Sequence, residues 1–315
     1  MTDALFDEAI AYHGDPVRPD TEEPTPLTLV AALTRPDRAK RVRHLIEQAH
    51  DLYETGIAEH LGGRDLVASC VLFSGGNDST TLAHMFRGKA THAVHANTTI
   101  GIEQTRQFVR DTCKEWGLPL IEKTAPTTYR ELVLERGFPG PAMHFKMYQR
   151  LKERGLDAAR AELIDNPRRE RVAFIAGRRR QESKRRADVP LSQRDGSVIW
   201  VSPIAFWTKP DLMTYRLLNP DVPRNQASDT LHMSGECLCG AFAHRGELDE
   251  IGFWFPEMKA EIEALEDEVR AAGHPEPFCT WGHGQGGAPS KVGALCSSCD
   301  ARFIPGQTDL LEELA

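Results

Sequence analysis

The chain has 315 residues, 40% apolar and 27% charged, enough for one large α/β domain plus an appendage. No stretch approaches the ~18 apolar residues of a bilayer span, and Met1-Thr-Asp-Ala-Leu-Phe-Asp-Glu lacks the basic and apolar regions of a secretion leader, so the expectation is a cytoplasmic protein with no membrane partner. A net charge of −8 excludes a generic polyanion binder, and seven unevenly spread cysteines argue against a disulfide framework.

Residues 1–36 are acidic and proline-bearing and read as an N-terminal arm. From Pro36 to Leu61, Leu45, Ile46, Ala49, Leu52, Tyr53 and Ile57 recur at helical spacing, and Gly62-Gly63 ends that helix. The apolar run Val67–Phe73 reads as a buried strand. It is followed at once by Ser74-Gly-Gly-Asn-Asp-Ser79 and a helix from Thr80. Paired glycines let the backbone bend sharply and let a ligand approach. The first amides of the following helix have no intrahelical partner, and the helix dipole adds positive potential there. Such a turn is suited to phosphate oxygens, with the Ser74 and Ser79 hydroxyls assisting. Asp78 beside phosphates implies a bridging Mg²⁺.

Further strands are expected at His92–Ala96, Pro119–Glu122, Arg171–Ala176 and Ile199–Pro203, with helices through Phe108 to Trp116, over most of 128–164 with a break at Gly137–Pro141, and from about Lys209. Strands alternating with helices predict an α/β fold, a doubly wound and mainly parallel sheet over 37–225. Ligands of such sheets lie beyond the strands' carboxyl ends, where the Ser74–Ser79 turn falls. Beyond residue 225 cysteine, glycine and histidine concentrate and the clear helix is Pro256–Ala272, so 226–315 reads as a small cysteine-rich metal module. Cys70 and Cys113 read as core thiols. His84, His92 and His95 read as packed or solvated, and His232, His244, His274 and His283 as spare ligands.

Between Arg168 and Arg186 stand nine Lys or Arg against Glu170 and Glu182. The carboxyl-terminal part of this run follows a strand and Gly177, which places guanidinium groups over the rim that carries the phosphate turn. Cys237-Leu-Cys239 and Cys296-Ser-Ser-Cys299, with Cys279 between them, can supply four thiolates to zinc or an iron–sulfur cluster if the fold unites them.

Ser74–Ser79 resembles the SGGxDS pyrophosphate loop of the PP-loop ATP pyrophosphatases, the adenine nucleotide α-hydrolase superfamily. Asn77 stands where most reductase-like members carry lysine. Three further blocks resemble the phosphoadenylyl-sulfate reductase-like branch of that superfamily. They are Asn97–Phe108, Gly177–Arg186 (motif positions Gly177, Arg179, Glu182, Ser183 and Arg186) and Ser202–Leu212. The likeness spans roughly 67–225. The Glu-Cys-Gly-Leu-His string that sulfonucleotide reductases use for their nucleophile is not present at the end of this chain.

The resemblance implies an ATP pyrophosphatase that adenylates an acceptor for sulfur transfer. Ser74, Gly75, Gly76, Asn77, Asp78, Ser79, Val94, Asn97, Gly177, Arg178 and Arg179 would bind the nucleotide, with Asp78 and Arg179 catalytic. ATP and Mg²⁺ would be the ligands. Cys237, Cys239, Cys296 and Cys299 (Cys279 in reserve) would hold a 4Fe–4S cluster, or alternatively Zn²⁺, as in some relatives. The cationic 168–186 segment fits the phosphate backbone of a nucleic acid acceptor, and the sulfur would come from a cysteine desulfurase or other sulfur donor. Two other readings remain open: a divergent phosphoadenylyl-sulfate (PAPS) reductase, and a non-catalytic nucleotide-binding subunit of a modification or defence system.

Overall fold

A computed structural model describes residues 12–20, 23–182, 186–243 and 246–283. Two helices open it, α1 (Leu27–Ala32) and the long α2 (Arg35–Leu61). Thr34 caps α2 by accepting from the Asp37 amide, and Gly62 ends it in the left-handed region (φ 59°). Strand β1 (Asp65–Leu72) follows, then α3 (Asn77–Phe86), β2 (His92–Asn97), α4 (Glu103–Glu115) and β3 (Leu120–Thr124). A helical excursion comprises α5 (Tyr129–Arg136), α6 (His144–Tyr148) and α7 (Arg154–Leu163). After it come β4 (Glu170–Ile175), β5 (Ser192–Asp195), β6 (Val198–Val201) and α8 (Lys209–Leu218).

The six strands lie in the order β3-β2-β1-β4-β6-β5. All pairs are parallel except β5 with β6. Strand order runs outward from β1 through β2 and β3, then reverses to β4 on the other side of β1. The switch point therefore lies between β1 and β4, and a doubly wound sheet binds ligands at the carboxyl ends that flank it. Strand β5 was not expected. Its residues, Ser-Gln-Arg-Asp, are largely exposed on the sheet edge and carry no apolar alternation, while Gly196 (φ 57°) turns the hairpin back into β6.

Apolar residues cover both faces of the sheet. On one, Leu45, Phe86, Val109, Trp207 and Tyr215 from α2, α3, α4 and the region of α8 pack on Val71, Ala173 and Ile175. On the other, Leu156 and Ala159 of α7 pack on Cys70, Val94, Val172 and Phe174. A third core lies beside the sheet. In it Ile100, Ile102, Tyr129, Leu132, Met147 and Leu151 pack with residues of α9 (Gln226–Leu231), α10 (Glu247–Trp254) and α11 (Pro256–Ala271). The described part of the cysteine-rich stretch thus shares its core with the α5–α7 excursion. Helix α11 matches the sequence reading; α9 and α10 are additional.

Candidate nucleotide-binding site

The turn after β1 is held by its own side chains. Gly75 takes a left-handed conformation (φ 78°), and Gly76 is the N-cap of α3. The Ser79 hydroxyl donates to the Gly76 carbonyl (3.0 Å), lies 3.1 Å from Ser74 Oγ, and accepts from the Ser74 amide (3.3 Å). The two serines close the turn on itself. Asn225 supports it from below, donating to the Gly75 carbonyl (2.9 Å) and Thr105 Oγ1 (3.1 Å).

Across the switch point, Gly177 follows β4. A Cβ there would sit 3.5 Å from the backbone of Asp78 and Ser79, ordinary contact distance, so the two motifs lie directly against each other. Two residues on, Arg179 Nε donates to Asp78 Oδ2 at 2.6 Å. The neighbouring arginines go elsewhere. Arg178 donates to Ser202 Oγ (2.8 and 3.1 Å) and stacks over Trp200, while Arg180 donates to the Val189 carbonyl and covers Phe206. Of these three arginines Arg179, the one at a motif position, is on the turn. Half-buried Glu182 pairs with Arg186 in the same wall, and burial raises its carboxyl above the usual range.

The basic run is divided by β4. Arg168 to Arg171 stand at its amino end, where the Arg168 carbonyl accepts from Arg64 and Arg171 donates to the Pro167 carbonyl. Only the part after Gly177 reaches the switch point, because a six-residue strand separates the two ends by about 20 Å.

Val94 lines the cleft over the turn. Asn97 is occupied in building the β2 end: its amide donates to Glu122 Oε1 (2.9 Å) and its carbonyl oxygen accepts from the Thr99 amide (2.9 Å). Arg110 joins the same Glu122, and its hydrogen bonds hold that carboxyl down at about 2. His84 packs against Tyr215 (2.8 Å) and Asp221 (3.0 Å). His95 is buried, with Nδ1 2.8 Å from the Phe73 carbonyl and Nε2 3.0 Å from Glu236 Oε2.

The whole opens as a cleft of about 1690 Å³. Its walls include Gly76 to Ser79, Gly177 to Arg179, Trp200, Arg216, Cys237 and Cys239. The two thiols adjoin each other. Donation from Cys239 favours the Cys237 thiolate and lowers its pKa, while the same bond and burial push Cys239 up. Cys279 is buried apart, its thiol directed at the carbonyls of His274 (3.2 Å) and Pro275 (3.6 Å). Cys296 and Cys299 lie outside the described residues. Among the described residues no group of three or more His, Cys, Asp or Glu is arranged to hold a metal.

Arg216, Asn225, Ser234 and Glu236 also reach the site, and the sequence does not single them out. Their contacts with it span 120 to 150 residues of chain, as Arg216 to Asn77 across 139, and no local motif marks them.

A mainly parallel sheet with a glycine turn and an arginine loop facing each other at its switch point defines an α/β nucleotide-binding protein. The chain belongs to the phosphoadenosine phosphosulfate reductase domain family of the PP-loop superfamily, whose profile matches residues 68–228, about half of its length. Among solved structures it is similar to a phosphoadenylyl-sulfate (PAPS) reductase from Candida auris, in a phosphate complex. Identity is 17%, the TM-score 0.40, and the match covers 63% of this chain and 92% of that one. It is also similar to Candida glabrata FMN adenylyltransferase in complex with FAD and inorganic pyrophosphate, at 12% identity and a TM-score of 0.43, covering 64% of this chain and 65% of that one. No curated protein sequence matches. Among the described residues no helix is long and apolar enough to cross a membrane.

Proposed function

We propose that the protein binds ATP in this cleft, cleaves it between the α and β phosphates, and adenylates an acceptor that then receives sulfur. The observation that carries the reading is the 2.6 Å contact between Arg179 and Asp78, which brings the ends of β1 and β4 to one point. The amides around Gly75 and Gly76 would hold the outer phosphates. Arg179 would stabilise charge developing at the α phosphorus, a role whose loss costs about 10²–10³ in rate at comparable sites. Val94 would meet the adenosine. Asp78 would hold Mg²⁺, which when bound neutralises phosphate charge.

Room for the acceptor supports this reading. The cleft's 1690 Å³ exceeds the ~300–1,000 Å³ of ordinary small-molecule sites. The cations from Arg178 to Arg186 would favour a nucleic acid acceptor, and a cysteine desulfurase would be the sulfur source. Cys237 and Cys239 fit two positions of a 4Fe–4S or zinc site that Cys296 and Cys299 would complete, with Cys279 in reserve. Iron and zinc analysis of anaerobically purified protein, with absorbance near ~400 nm, checks that assignment.

Incubation with labelled ATP, Mg²⁺ and candidate acceptors tests the activity. AMP and pyrophosphate are expected, and Asp78→Ala should abolish turnover without unfolding the chain. Release of orthophosphate instead would overturn the adenylation reading. One observation favours a second reading, a divergent PAPS reductase: the Cys237 thiol lines the cleft that carries the phosphate turn. Sulfite release from the sulfonucleotide, lost in Cys237→Ser, would establish it in place of the first.

A further inference from the structure

We propose that Arg216, on α8, is a phosphate-binding residue of this site and supplies the positive charge that its turn lacks. The proposal rests on the nucleotide reading above and adds to it the group that selects for a polyphosphate tail.

The turn Ser-Gly-Gly-Asn-Asp-Ser holds one carboxylate and no cation. Arg179 sits on that carboxylate at 2.6 Å, so until Mg²⁺ takes up the carboxylate the pair adds no net charge toward a ligand. Arg178 lines the cleft but donates to Ser202, and Arg180 donates to the Val189 carbonyl, so neither of these cations contacts the turn itself. An ATP or pyrophosphate tail carries several negative charges, and helix amides alone offset them weakly, the macrodipole being equivalent to roughly half a charge.

Arg216 faces the turn from the opposite side. Its Nη1 donates to Asn77 Oδ1 at 2.6 Å and its Nη2 to the Pro223 carbonyl at 3.0 Å. Both acceptors are neutral, and the carboxylate that acts on Arg216 from nearby, Asp229, is itself bound by Arg224 at 2.8 Å. A guanidinium has five N–H donors in a planar fork, and these two bonds leave others for a phosphate. The group is half-buried and lines the cleft together with Asn77 and Asp78. Its backbone is fixed at the same helix: Tyr215 contacts His84 of α3 at 2.8 Å, and Asp211 is bound by buried Arg41 at 2.8 Å.

Consecutive residues of the first turn of α3 therefore each hold an arginine from a different element. Asp78 holds Arg179, neutralised, and Asn77 holds Arg216, which keeps its charge. A short neutral amide at position 77 positions a long cation that the turn does not itself carry.

Binding calorimetry with the full chain in Mg²⁺ buffer separates this role from a brace between α3 and α8. Pyrophosphate, ATP and AMP are the probes, and the variants are R216Q, R216K and the charge-relocating double variant N77K/R216Q. R216Q is expected to weaken pyrophosphate and ATP at least tenfold, about 1.4 kcal/mol, while AMP stays within about twofold. R216K should lose less, and N77K/R216Q should regain most of the loss. Equal weakening of AMP and ATP, or unchanged ATP affinity in R216Q with an unchanged melting temperature, overturns the proposal. Should the wild-type chain bind ATP well yet show the same affinity as R216Q, only the role of Arg216 fails. Should it bind neither ATP nor pyrophosphate, the nucleotide reading fails first and this one with it.

Discussion

Gly75 and Gly76 are adjacent, and the structure needs them for different reasons. At Gly75 the backbone is left-handed (φ 78°), and a Cβ would lie 2.8 Å from Thr105 Cγ2 and 3.2 Å from Val109 Cγ2. At Gly76 φ is ordinary (−74°), but a Cβ would come within 3.0 Å of the Ser234 side chain. Gly75→Ala combines a left-handed L-residue, about 1–2 kcal/mol, with overpacking, about 1–3 kcal/mol. Urea unfolding should show a loss of about 2–5 kcal/mol, with ATP affinity falling alongside it. Gly63→Ala is the control: φ is 68° there and nothing lies within 4 Å, so only the conformational cost remains. If the two variants lose the same stability, the close approach of Thr105 is not a constraint. At this scale the sequence was legible where neighbours cooperate along the chain, as in the turn. It was silent where they cooperate across it. Nothing beside Arg216 or Asn225 in the sequence marks their contact with Asn77 and Gly75, because each contact joins positions 139 and 150 residues apart.

Elements show the same division. Strands β1, β2, β3, β4 and β6 carry apolar residues that predict burial, and they were legible; exposed β5 carries none, and α9 and α10, at six and eight residues, are too short to show a helical period. The sequence also hides how residues 235–238 lie along the end of β2. There the Ile102 amide donates to the Gly235 carbonyl (2.8 Å), the Leu238 amide to the Ile100 carbonyl (2.8 Å), and the Thr98 amide to Glu236 Oε1 (2.8 Å). Gly101 makes room, since a Cβ would be 2.3 Å from the Glu236 carbonyl. The clamp is completed by the His95–Glu236 contact, both side chains 1% exposed. Burial alone would push His95 down, but the Glu236 carboxylate and the Phe73 carbonyl outweigh it and raise its pKa above 6.5. A raised histidine pKa contributes stability that is complete below the unfolded value of ~6.5 and is lost as pH rises through the folded value. The stability difference between wild type and His95→Gln, from urea unfolding at pH 6 and pH 9, should therefore shrink on the alkaline side. A difference that holds steady or grows would mean that His95 stays neutral in the folded chain.

For the molecule as a whole, the change of composition near residue 226 is not a break in the packing, which continues across it. The third core draws Ile100, Ile102, Tyr129 and Leu132 from before that point and Leu231, Leu238, Ile262 and Val269 from after it. Tyr129 donates to the Cys239 carbonyl at 2.9 Å, and Trp281 to the Leu238 carbonyl at 2.7 Å. The cleft is shared in the same way, with the phosphate turn on one wall and residues from Ser228 to Ala243 on the other. A chain cut after residue 225 would expose Ile100, Ile102, Tyr129 and Leu132, each at most 1% exposed in the intact protein. At about 1.5–3 kcal/mol for each large side chain returned to water, those four alone are comparable with the ~5–15 kcal/mol that holds a domain folded. The 1–225 fragment should therefore melt without cooperativity, bind a hydrophobic dye, and fail to retain ATP affinity. A monomeric fragment that melts sharply and binds ATP as the full chain does would show that the sheet and its turn are self-sufficient, with the thiol-bearing wall an accessory to the site.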